Sequence, residues 1–355
     1  MSSQDLKGAI IGMCNPLLDI CADVDTDFLA KYGLNANDAI LADEKHVALF
    51  AEMIQRYNVK YIAGGAGQNA LRGAQRLLPS DSTTFIGCVS NDLFGKELKT
   101  AAMKDGLNPL YMVDESKPTG TCALLITGTD RSLVANLAAA NSYKIDHLKR
   151  PEVWAQIEKA QFYYITGFFL TVSPDSILEV AKHAHANGKT FMMNVSAPFT
   201  PQFYKSQWTE IMPYVDILFG NETEAAAWST HFGYQTEEVA QIAHRIANLP
   251  KLNSSKPRQV VITQGKGSTL LAIQQVPAAT EPEASFKVEI FPVTPVAQSE
   301  IVDTNGAGDA FVAGFISQYV QGKPVAKCVG CGHWLAAQVI RESGASYPEK
   351  LTKYE

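Results

Sequence analysis

Blocks of like charge and long apolar runs are both missing from this sequence. Its 355 residues carry 30 Lys and Arg against 36 Asp and Glu, a formal net charge of −6. Without a basic block, neither nucleic acid nor an anionic membrane surface is expected as a main partner. The densest apolar segment, Phe311–Val320, is too short to span a membrane. No export signal is recognisable at the beginning, so we expect a cytoplasmic protein, with the nucleus left open as a second location.

Cysteine is scarce as well, with six residues spread along the chain. Scattered cysteines in apolar contexts predict reduced, buried thiols rather than a disulfide framework. Cys328 and Cys331 form one Cys-x-x-Cys pair, and His333 follows two residues later. A single pair is a poor zinc site, and haem attachment needs a histidine directly after the second cysteine. We therefore interpret both thiols as packing residues.

Short apolar, β-rich runs alternate with amphipathic helical stretches, which is typical of a layered α/β fold. Helices are predicted over Pro174–Ala186, Thr236–Leu249 and Pro324–Ile340. Ligands of such folds bind beyond the carboxyl ends of the strands, where this sequence places small or polar residues. Buried parallel strands are predicted at Ala9–Cys14, Thr83–Val89, Phe162–Thr166, Phe191–Val195, Asp216–Phe219 and Gln259–Thr263.

Two stretches interrupt the alternation and contain strand-like pieces separated by turns. The pieces in the second stretch are Leu110–Val113, Cys122–Thr127 and Leu133–Leu137. We predict that residues 17–65 and 107–141 form a small β-rich lid domain. Residues 1–16, 66–106 and 142–355 are then the large α/β domain, which binds nucleotide and carries out catalysis.

The segment from Asp303 to Phe311 reads Asp-Thr-Asn-Gly-Ala-Gly-Asp-Ala-Phe and precedes an apolar helical run. Gly306 and Gly308 allow the backbone to approach a ligand closely, and the helix start offers unpaired N–H groups to an anion. Asp309 at a helix start is expected to stay ionised and to be able to accept a proton. A tight turn capped by Asp309 is the structural alternative.

With this nine-residue block and along most of its length, the chain resembles the ribokinase-like (PfkB) carbohydrate kinases, in the branch that phosphorylates adenosine. The resemblance implies a three-layer α/β/α fold with a mostly parallel central sheet and a small β-rich lid. It also implies a monomer that uses ATP as co-substrate and Mg²⁺ as cofactor, with a monovalent cation such as K⁺ near Asp303 and Gly344. Asp309 would be the catalytic base, and the amides of Gly306, Ala307 and Gly308 would form the anion hole.

Two further segments carry candidate substrate-binding residues. A carboxylate such as Asp19 can accept hydrogen bonds from two vicinal hydroxyls, although a simple loop cap is an equal alternative. The resemblance implies that Asn15 and Asp19 hold the ribose. It also matches Gly64, Gly65 and Asn69, which open the next predicted helix, to a second family motif. Departures from the family pattern at Ala39, Ala66 and Gly67 leave recognition of the base open.

The predicted lid and one strand end supply the remaining substrate contacts that the resemblance implies. Cys122, Leu133, Ala135 and Leu137 would cover the nucleoside, although core packing is the better interpretation for most positions of an apolar strand. Arg131 would reach the phosphates. Of the pair Phe168 and Phe169, we assign Phe169 to stacking on a purine.

Nucleotide and metal contacts are expected after later strands. Asn221 and Glu224 lie three residues apart at a predicted helix start, where a capping arrangement is the alternative. The resemblance implies that they organise Mg²⁺ through water, and Asn221 also contacts the nucleotide. It further places Thr263, Gly265, Asn305 and His333 around ATP.

Three functions follow as hypotheses. The first is ATP-dependent phosphorylation of the 5′-hydroxyl of adenosine to AMP, a purine salvage reaction. The second is phosphorylation of another nucleoside or a sugar by the same fold, and the third is nucleoside binding without catalysis. Asp309, Asn221 and Glu224 are all present, which favours an enzyme.

Overall fold

The computed structural model describes residues 6–36, 39–128, 130–275, 288–348, 350–351 and 354. The strands are β1 (Ile10–Met13), β2 (Leu17–Asp23), β3 (Ala39–Leu41), β4 (Lys60–Gly64), β5 (Thr83–Val89), β6 (Asn108–Val113), β7 (Thr121–Thr127), β8 (Asp130–Asn136), β9 (Phe162–Thr166), β10 (Thr190–Asn194), β11 (Ile217–Asn221), β12 (Gln259–Gln264), β13 (Gly267–Ile273) and β14 (Val288–Phe291). The α-helices are α1 (Thr26–Lys31), α2 (Val47–Arg56), α3 (Ala66–Leu77), α4 (Leu93–Lys104), α5 (Ile145–Leu148), α6 (Pro151–Lys159), α7 (Pro174–Ala186), α8 (Phe199–Phe203), α9 (Lys205–Ile211), α10 (Glu222–Phe232), α11 (Val239–Ala247), α12 (Ala307–Tyr319) and α13 (Val325–Val339).

The larger sheet has the strand order β14-β13-β12-β11-β10-β9-β1-β5-β6. All neighbours from β12 to β6 are parallel, and β13 and β14 add an antiparallel edge. The predicted mostly parallel sheet is therefore confirmed. All six predicted buried strands lie in it, with ends shifted by no more than two residues.

Alternate residues of each buried strand point to opposite faces of the sheet, so both faces are apolar. Helices cover both of these faces. In β9, Tyr163 and Ile165 pack into a core with helices α6, α7, α10 and α11. Phe162 and Tyr164 pack on the other side with α3, α12 and α13. The predicted three layers are confirmed. Helix α7 has the predicted bounds, and α11 and α13 lie within the predicted ranges.

The smaller sheet has the order β3-β8-β7-β2-β4. Helices α1 and α2 pack on one of its faces, where Phe28 and Leu49 meet Ile20 and Leu125. A second apolar cluster with Cys122 and Leu124 covers the opposite face. This second face is turned toward the cleft described below.

One predicted strand belongs to the other sheet. Leu110–Val113 was expected in the lid, but it lies within β6 and pairs with β5 of the large sheet. Helix α4 connects the two parallel strands, and such a crossover places consecutive strands in one sheet. Residues 107–113 are therefore removed from the predicted lid, and the remaining domain boundaries stay a prediction.

The six cysteines are all buried, and their thiols are not joined in disulfides, as predicted. Among the described residues, no cluster of three or more His, Cys, Asp and Glu side chains has the spacing of a metal site. In the same part of the chain, no helix combines the length and apolar character that crossing a membrane requires.

Candidate active site

A cleft of about 530 Å³ lies between the smaller sheet and the carboxyl ends of the large sheet's strands. This is the position where layered α/β folds bind their ligands. The smaller sheet supplies one wall, and the first turn of α12 lies on the opposite side. Residues that line the cleft include Asp19, Asn69, Cys122, Leu133, Asn194, Ser196, Asn221, Glu224, Thr263, Asn305, Gly306, Gly308 and Asp309.

The loop before α12 is held in a conformation that requires glycine. Gly306 is the N-cap of the helix and has φ of 77°, and a Cβ there would lie 2.7 Å from the Cβ of Ala345. The Asp303 carboxylate accepts hydrogen bonds from the N–H groups of Asn305 (2.8 Å) and Gly344 (3.0 Å). These contacts fix the loop where it faces the cleft.

The first N–H groups of an α-helix have no partner within the helix, so the start of α12 can bind an anion. Gly306 and Gly308 line the cleft, and a Cβ at Gly308 would meet open space. The N–H of Ala307 already donates to the carbonyl oxygen of Thr304 at 3.3 Å. Of the three residues predicted to form the anion hole, Gly306 and Gly308 thus line the cleft and Ala307 is not among the lining residues.

Asp309 lies in the first turn of α12, half-buried at the cleft. Its Oδ2 accepts a hydrogen bond from Nδ2 of Asn69 at 3.1 Å. Burial raises the pKa of Asp309 to about 7, the Asn69 hydrogen bond lowers it, and the charge of Glu224 raises it. Loss of solvation thus works against the ionisation that the helix start favours, and the pKa of Asp309 lies near neutrality rather than in the acid range. A pKa near neutrality suits a general base.

Asn69 lies in the first turn of α3 and lines the cleft, and two neighbours hold it in place. Its Oδ1 accepts a hydrogen bond from Nη1 of Arg72 at 3.2 Å, and its backbone oxygen accepts one from the Tyr347 hydroxyl at 2.8 Å. Neither Arg72 nor Tyr347 was singled out from the sequence. One turn of helix separates Asn69 from Arg72, and that spacing was the available signal.

Asp19 lies on β2 and is 7% exposed at the wall of the cleft. Burial raises its pKa to about 7, the guanidinium of Arg72 lowers it, and the charge of Asp309 raises it. The two aspartates therefore lie close enough to influence one another across the cleft. The loop-cap alternative for Asp19 does not apply, because the residue is inside a strand.

Asn15 is buried behind the cleft and is not among its lining residues. Its Nδ2 donates to Oδ1 of Asn141 at 2.9 Å, while its Oδ1 is buried without a partner among the described residues. Gly65 has φ of 90°, and a Cβ there would overlap the carbonyl oxygen of Asn15. A Cβ at Gly64 would overlap the Asp19 carboxylate. Both predicted glycines thus allow close approach of neighbouring groups rather than contacting the cleft themselves.

The apolar wall of the cleft comes from the smaller sheet. Cys122 and Leu133 line it as predicted, and so does Leu124, which the sequence did not single out. Ala135 packs against the same cluster. Leu137 is half-buried and, like Ala135, is not among the lining residues. Three neighbouring strand positions therefore form the surface that would face a nucleoside.

Two sequence assignments concern side chains outside the described part of the structure. Arg131 lies in β8, where its backbone pairs with Ile126, and Ala39 lies in β3, where it pairs with Leu133. Nothing further follows for either side chain.

The assignment of Phe169 is corrected. Its ring is fully buried in the core and contacts Tyr143 at a centroid distance of 5.3 Å. Phe168 lines the cleft instead and packs on Phe199. Both residues belong to the 3₁₀-helix Gly167–Thr171, whose turn sends adjacent side chains in different directions.

Asn221 and Glu224 form a capping box at the start of α10. The Glu224 carboxylate accepts hydrogen bonds from the Asn221 backbone N–H and Nδ2, both at 3.0 Å. Burial raises the pKa of Glu224 to about 7, while backbone hydrogen bonds from Asn221 and Ser196 lower it. The capping alternative is therefore realised, yet both side chains also line the cleft.

Of the four residues expected around a nucleotide, Thr263 and Asn305 line the cleft. Gly265 and His333 are not among the lining residues. Nε2 of His333 lies 2.8 Å from the Thr269 hydroxyl, and its ring packs against Phe311. His333 therefore packs against β13 and α12, and its contact with a nucleotide stays a prediction.

Asn194, the last residue of β10, and Ser196 just after it also line the cleft. Neither was assigned to the site from the sequence. Ser196 has φ of 73°, a strained conformation for a residue with a Cβ. Its N–H donates to Oδ1 of Asn194 at 2.8 Å, and its hydroxyl accepts from the Gly167 N–H at 3.0 Å. The small polar residues at this strand end were the only signal in the sequence.

The family model described as pfkB family carbohydrate kinase matches residues 26–352. Adenosine kinase 2 of Arabidopsis thaliana is 49% identical over 98% of both chains, and adenosine kinase of Schizosaccharomyces pombe is 42% identical over 96% of both. The structure of Anopheles gambiae adenosine kinase in complex with P1,P4-di(adenosine-5) tetraphosphate is 48% identical, with a TM-score of 0.86 over 97% of this chain and 99% of that one. That of Schistosoma mansoni adenosine kinase in complex with adenosine and AMP is 35% identical, with a TM-score of 0.83 over 97% and 98%.

Proposed function

The chain belongs to the pfkB family of carbohydrate kinases, and we propose that it transfers the γ-phosphoryl group of ATP to the 5′-hydroxyl of adenosine. The products are AMP and ADP. One observation in the structure carries this proposal: Asp309 at the start of α12 and Asp19 on the smaller sheet line the same cleft. A proton acceptor and a ribose-binding carboxylate are thus available to one bound nucleoside.

The chemical step needs a base for the hydroxyl and donors for the charge that develops on the transferring group. Asp309 accepts the proton of the 5′-hydroxyl at its carboxylate. Backbone N–H groups at the start of α12, from Gly306 to Gly308, bind the phosphoryl oxygens. Both functions come from a single helix end, so the base and the anion hole keep a fixed distance.

Recognition of the nucleoside divides between polar and apolar groups. Asp19 accepts hydrogen bonds from the two vicinal hydroxyls of the ribose, which a deoxyribose cannot supply in full. Cys122 and Leu133 cover the sugar and base from the smaller sheet. Phe168 replaces Phe169 as the aromatic residue that stacks on the purine.

Mg²⁺ shields the charge of the ATP phosphates when it is bound. Asn221 and Glu224 would hold this ion through its water molecules. Their side chains are bonded to each other, so water would bridge them to the ion, and Mg²⁺ retains several waters. Stimulation by K⁺ near Asp303 and Gly344, a monomeric state and a cytoplasmic location remain predictions from the sequence.

A coupled assay for ADP release with Mg-ATP tests the function directly. Release that depends on adenosine, with AMP formed in equal amount, is the expected result. Turnover with ribose, fructose or inosine but not adenosine would move the acceptor to another member of the family. Adenosine binding by calorimetry without turnover of any acceptor would leave a nucleoside-binding protein.

A further inference from the structure

We propose that Arg72 is a positioning residue for phosphoryl transfer, which orients the Asn69 amide so that its NH₂ group faces Asp309. The inference rests on the proposed function, because it takes Asp309 as the proton acceptor. Arg72 lies one turn after Asn69 on α3 and is 5% exposed. Arg72 is not among the residues that line the cleft, so any effect of Arg72 on turnover must pass through a neighbouring residue.

The orientation of the amide follows from the donors and acceptors around it. The Arg72 guanidinium can only donate hydrogen bonds, and an ionised carboxylate can only accept them. Nη1 of Arg72 lies 3.2 Å from Oδ1 of Asn69, and Oδ2 of Asp309 lies 3.1 Å from Nδ2. The opposite orientation would place two donors together on one side and two acceptors together on the other.

Arg72 is itself held so that it cannot turn away. Its Nε donates to Oδ2 of Asp105 at 2.6 Å, and Nη1 also donates to the carbonyl oxygen of Ala63. Its guanidinium lies 6.0 Å from the centroid of the Tyr347 ring. The hydroxyl of Tyr347 binds the backbone oxygen of Asn69. The ion pair, the strand carbonyl and the ring therefore fix the donor that faces Asn69.

The consequence for catalysis concerns the free oxygen of Asp309. Because Asn69 occupies Oδ2, Oδ1 is left to accept the proton of the substrate hydroxyl. The amide torsion of asparagine has two broad, nearly equivalent wells. Without Arg72 one of the two contacts that hold this orientation is lost, so the amide is held less firmly with its NH₂ group toward Asp309.

The test is a double-mutant cycle between Arg72 and Asn69. R72M in the otherwise unchanged protein is expected to lower kcat by about 10- to 100-fold, with the KM for adenosine within about 3-fold, the size of effect of losing a hydrogen bond to a charged group. In an N69A background the same R72M change is expected to alter kcat by less than about 2-fold. Equal losses in both backgrounds would overturn the proposal.

Arg76 provides the matched control, because it lies on the same helix and pairs with Asp105 at 3.6 Å, while its hydrogen bonds go to the carbonyl oxygens of Tyr347 and Pro348 and not to the Asn69 amide. R76M is expected to keep kcat within about 2-fold. A loss as large as that of R72M would mean that the Asp105 ion pair supports the fold and not the amide, and would also overturn the proposal.

The R72K variant distinguishes the orienting role of Arg72 from the effect of its positive charge. It also provides the test if R72M does not fold. Lysine keeps the positive charge near Asp19 but cannot reach Asp105 and Asn69 together as the planar guanidinium does. An expected loss in kcat of about 3- to 10-fold, absent in the N69A background, supports the orienting role. A rise in adenosine KM with kcat unchanged would assign Arg72 to Asp19 instead and reject the proposal.

D309N is measured in parallel so that the two levels of the argument can fail separately. Near-normal turnover of D309N would overturn the assigned base and the inference with it. Loss of turnover in D309N together with additive effects of R72M and N69A would leave the proposed function intact and reject the role of Arg72 alone.

Discussion

Phe168 and Phe169 are neighbours in the chain but lie in different environments. The Phe168 ring lines the cleft, and the Phe169 ring is completely buried between the large sheet and its helices. The 3₁₀-helix Gly167–Thr171 that carries both begins directly after β9. One side chain is therefore available to a ligand, and the next belongs to the core.

Because of this division, the two alanine substitutions are expected to affect different properties, the KM for adenosine in one case and stability in the other. F168A is expected to raise the KM for adenosine by about 3- to 10-fold, since a stacked aromatic contributes about 0.5–1.5 kcal/mol beyond its buried area. F169A is expected to lower the free energy of unfolding by about 3–5 kcal/mol, because it leaves a cavity in the core. Adenosine KM and urea unfolding, both measured for both variants, check the expectation, and a nucleoside-binding defect in folded F169A alone would contradict it.

D309N is expected to reduce kcat by about 10²- to 10⁴-fold, the usual contribution of a general base. Adenosine affinity, measured by calorimetry, should change little, because Asn69 can still bond to the new amide oxygen. A folded D309N with kcat within 10-fold of the unchanged protein would contradict the assignment.

The same variant should also be more stable than the unchanged protein at neutral and alkaline pH. The pKa of Asp309 is raised from 3.8 to about 7, so the folded protein holds a proton that the unfolded chain releases. Stability from this group is complete below pH 3.8 and is lost as pH rises through about 7. Urea unfolding of both proteins at pH 5 and pH 8 should therefore show the larger advantage of D309N at pH 8.

Turnover is expected to increase with pH through about 7 on the acid side of the profile. Asp309 must be ionised to accept a proton, and burial raises its pKa to about 7. Asp19 titrates in the same range, so the acid limb of kcat/KM describes the interacting pair. Initial rates between pH 5 and pH 9 check this, and an acid limb near pH 4 would show that the carboxylates behave as exposed groups.

Replacing Asp19 by alanine tests ribose recognition. D19A is expected to raise the KM for adenosine by about 10- to 100-fold, the effect of losing hydrogen bonds to a charged acceptor. The penalty for 2′-deoxyadenosine should be smaller, because it already lacks one of the hydroxyls. Equal penalties for both nucleosides would mean that Asp19 does not bind the 2′-hydroxyl.

Glu224→Gln tests the proposed metal contact while keeping the helix cap, since glutamine also serves in a capping box. The Mg²⁺ concentration for half-maximal turnover is expected to increase about 10-fold or more, as for other residues that hold a metal through water. Thermal unfolding should stay close to that of the unchanged protein. An unaltered Mg²⁺ requirement would limit Glu224 to its capping role.

The position of the Asp303–Phe311 segment at a candidate site could be predicted, because it depends on local sequence. Gly306, Gly308 and Asp309 are set by one loop and one helix start, and the structure places all three at the cleft. The strands of the large sheet were equally predictable, because a strand buried on both faces needs a continuous apolar run.

Other features depend on contacts between distant parts of the chain. The strand that begins at Asn108 joins the large sheet because β5 is its neighbour, and its sequence resembles that of a lid strand. Arg72 acquires its place from Asp105 and Tyr347, which no pattern around residue 72 indicates. Phe168 and Phe169 differ only in the direction that one helical turn gives them.

The order in which the cleft residues occur along the chain has a consequence for synthesis on the ribosome. Asp19 and Asn69 are made early, while Asp309 and the start of α12 follow more than 200 residues later, and Ala345 later still. An incomplete nascent chain can already contain the strands of the smaller sheet. Because domains tend to fold as they emerge from the ribosome, this sheet can form early. Such a chain lacks the proposed proton acceptor and the proposed anion hole, so the proposed mechanism predicts that partly made chains do not consume ATP.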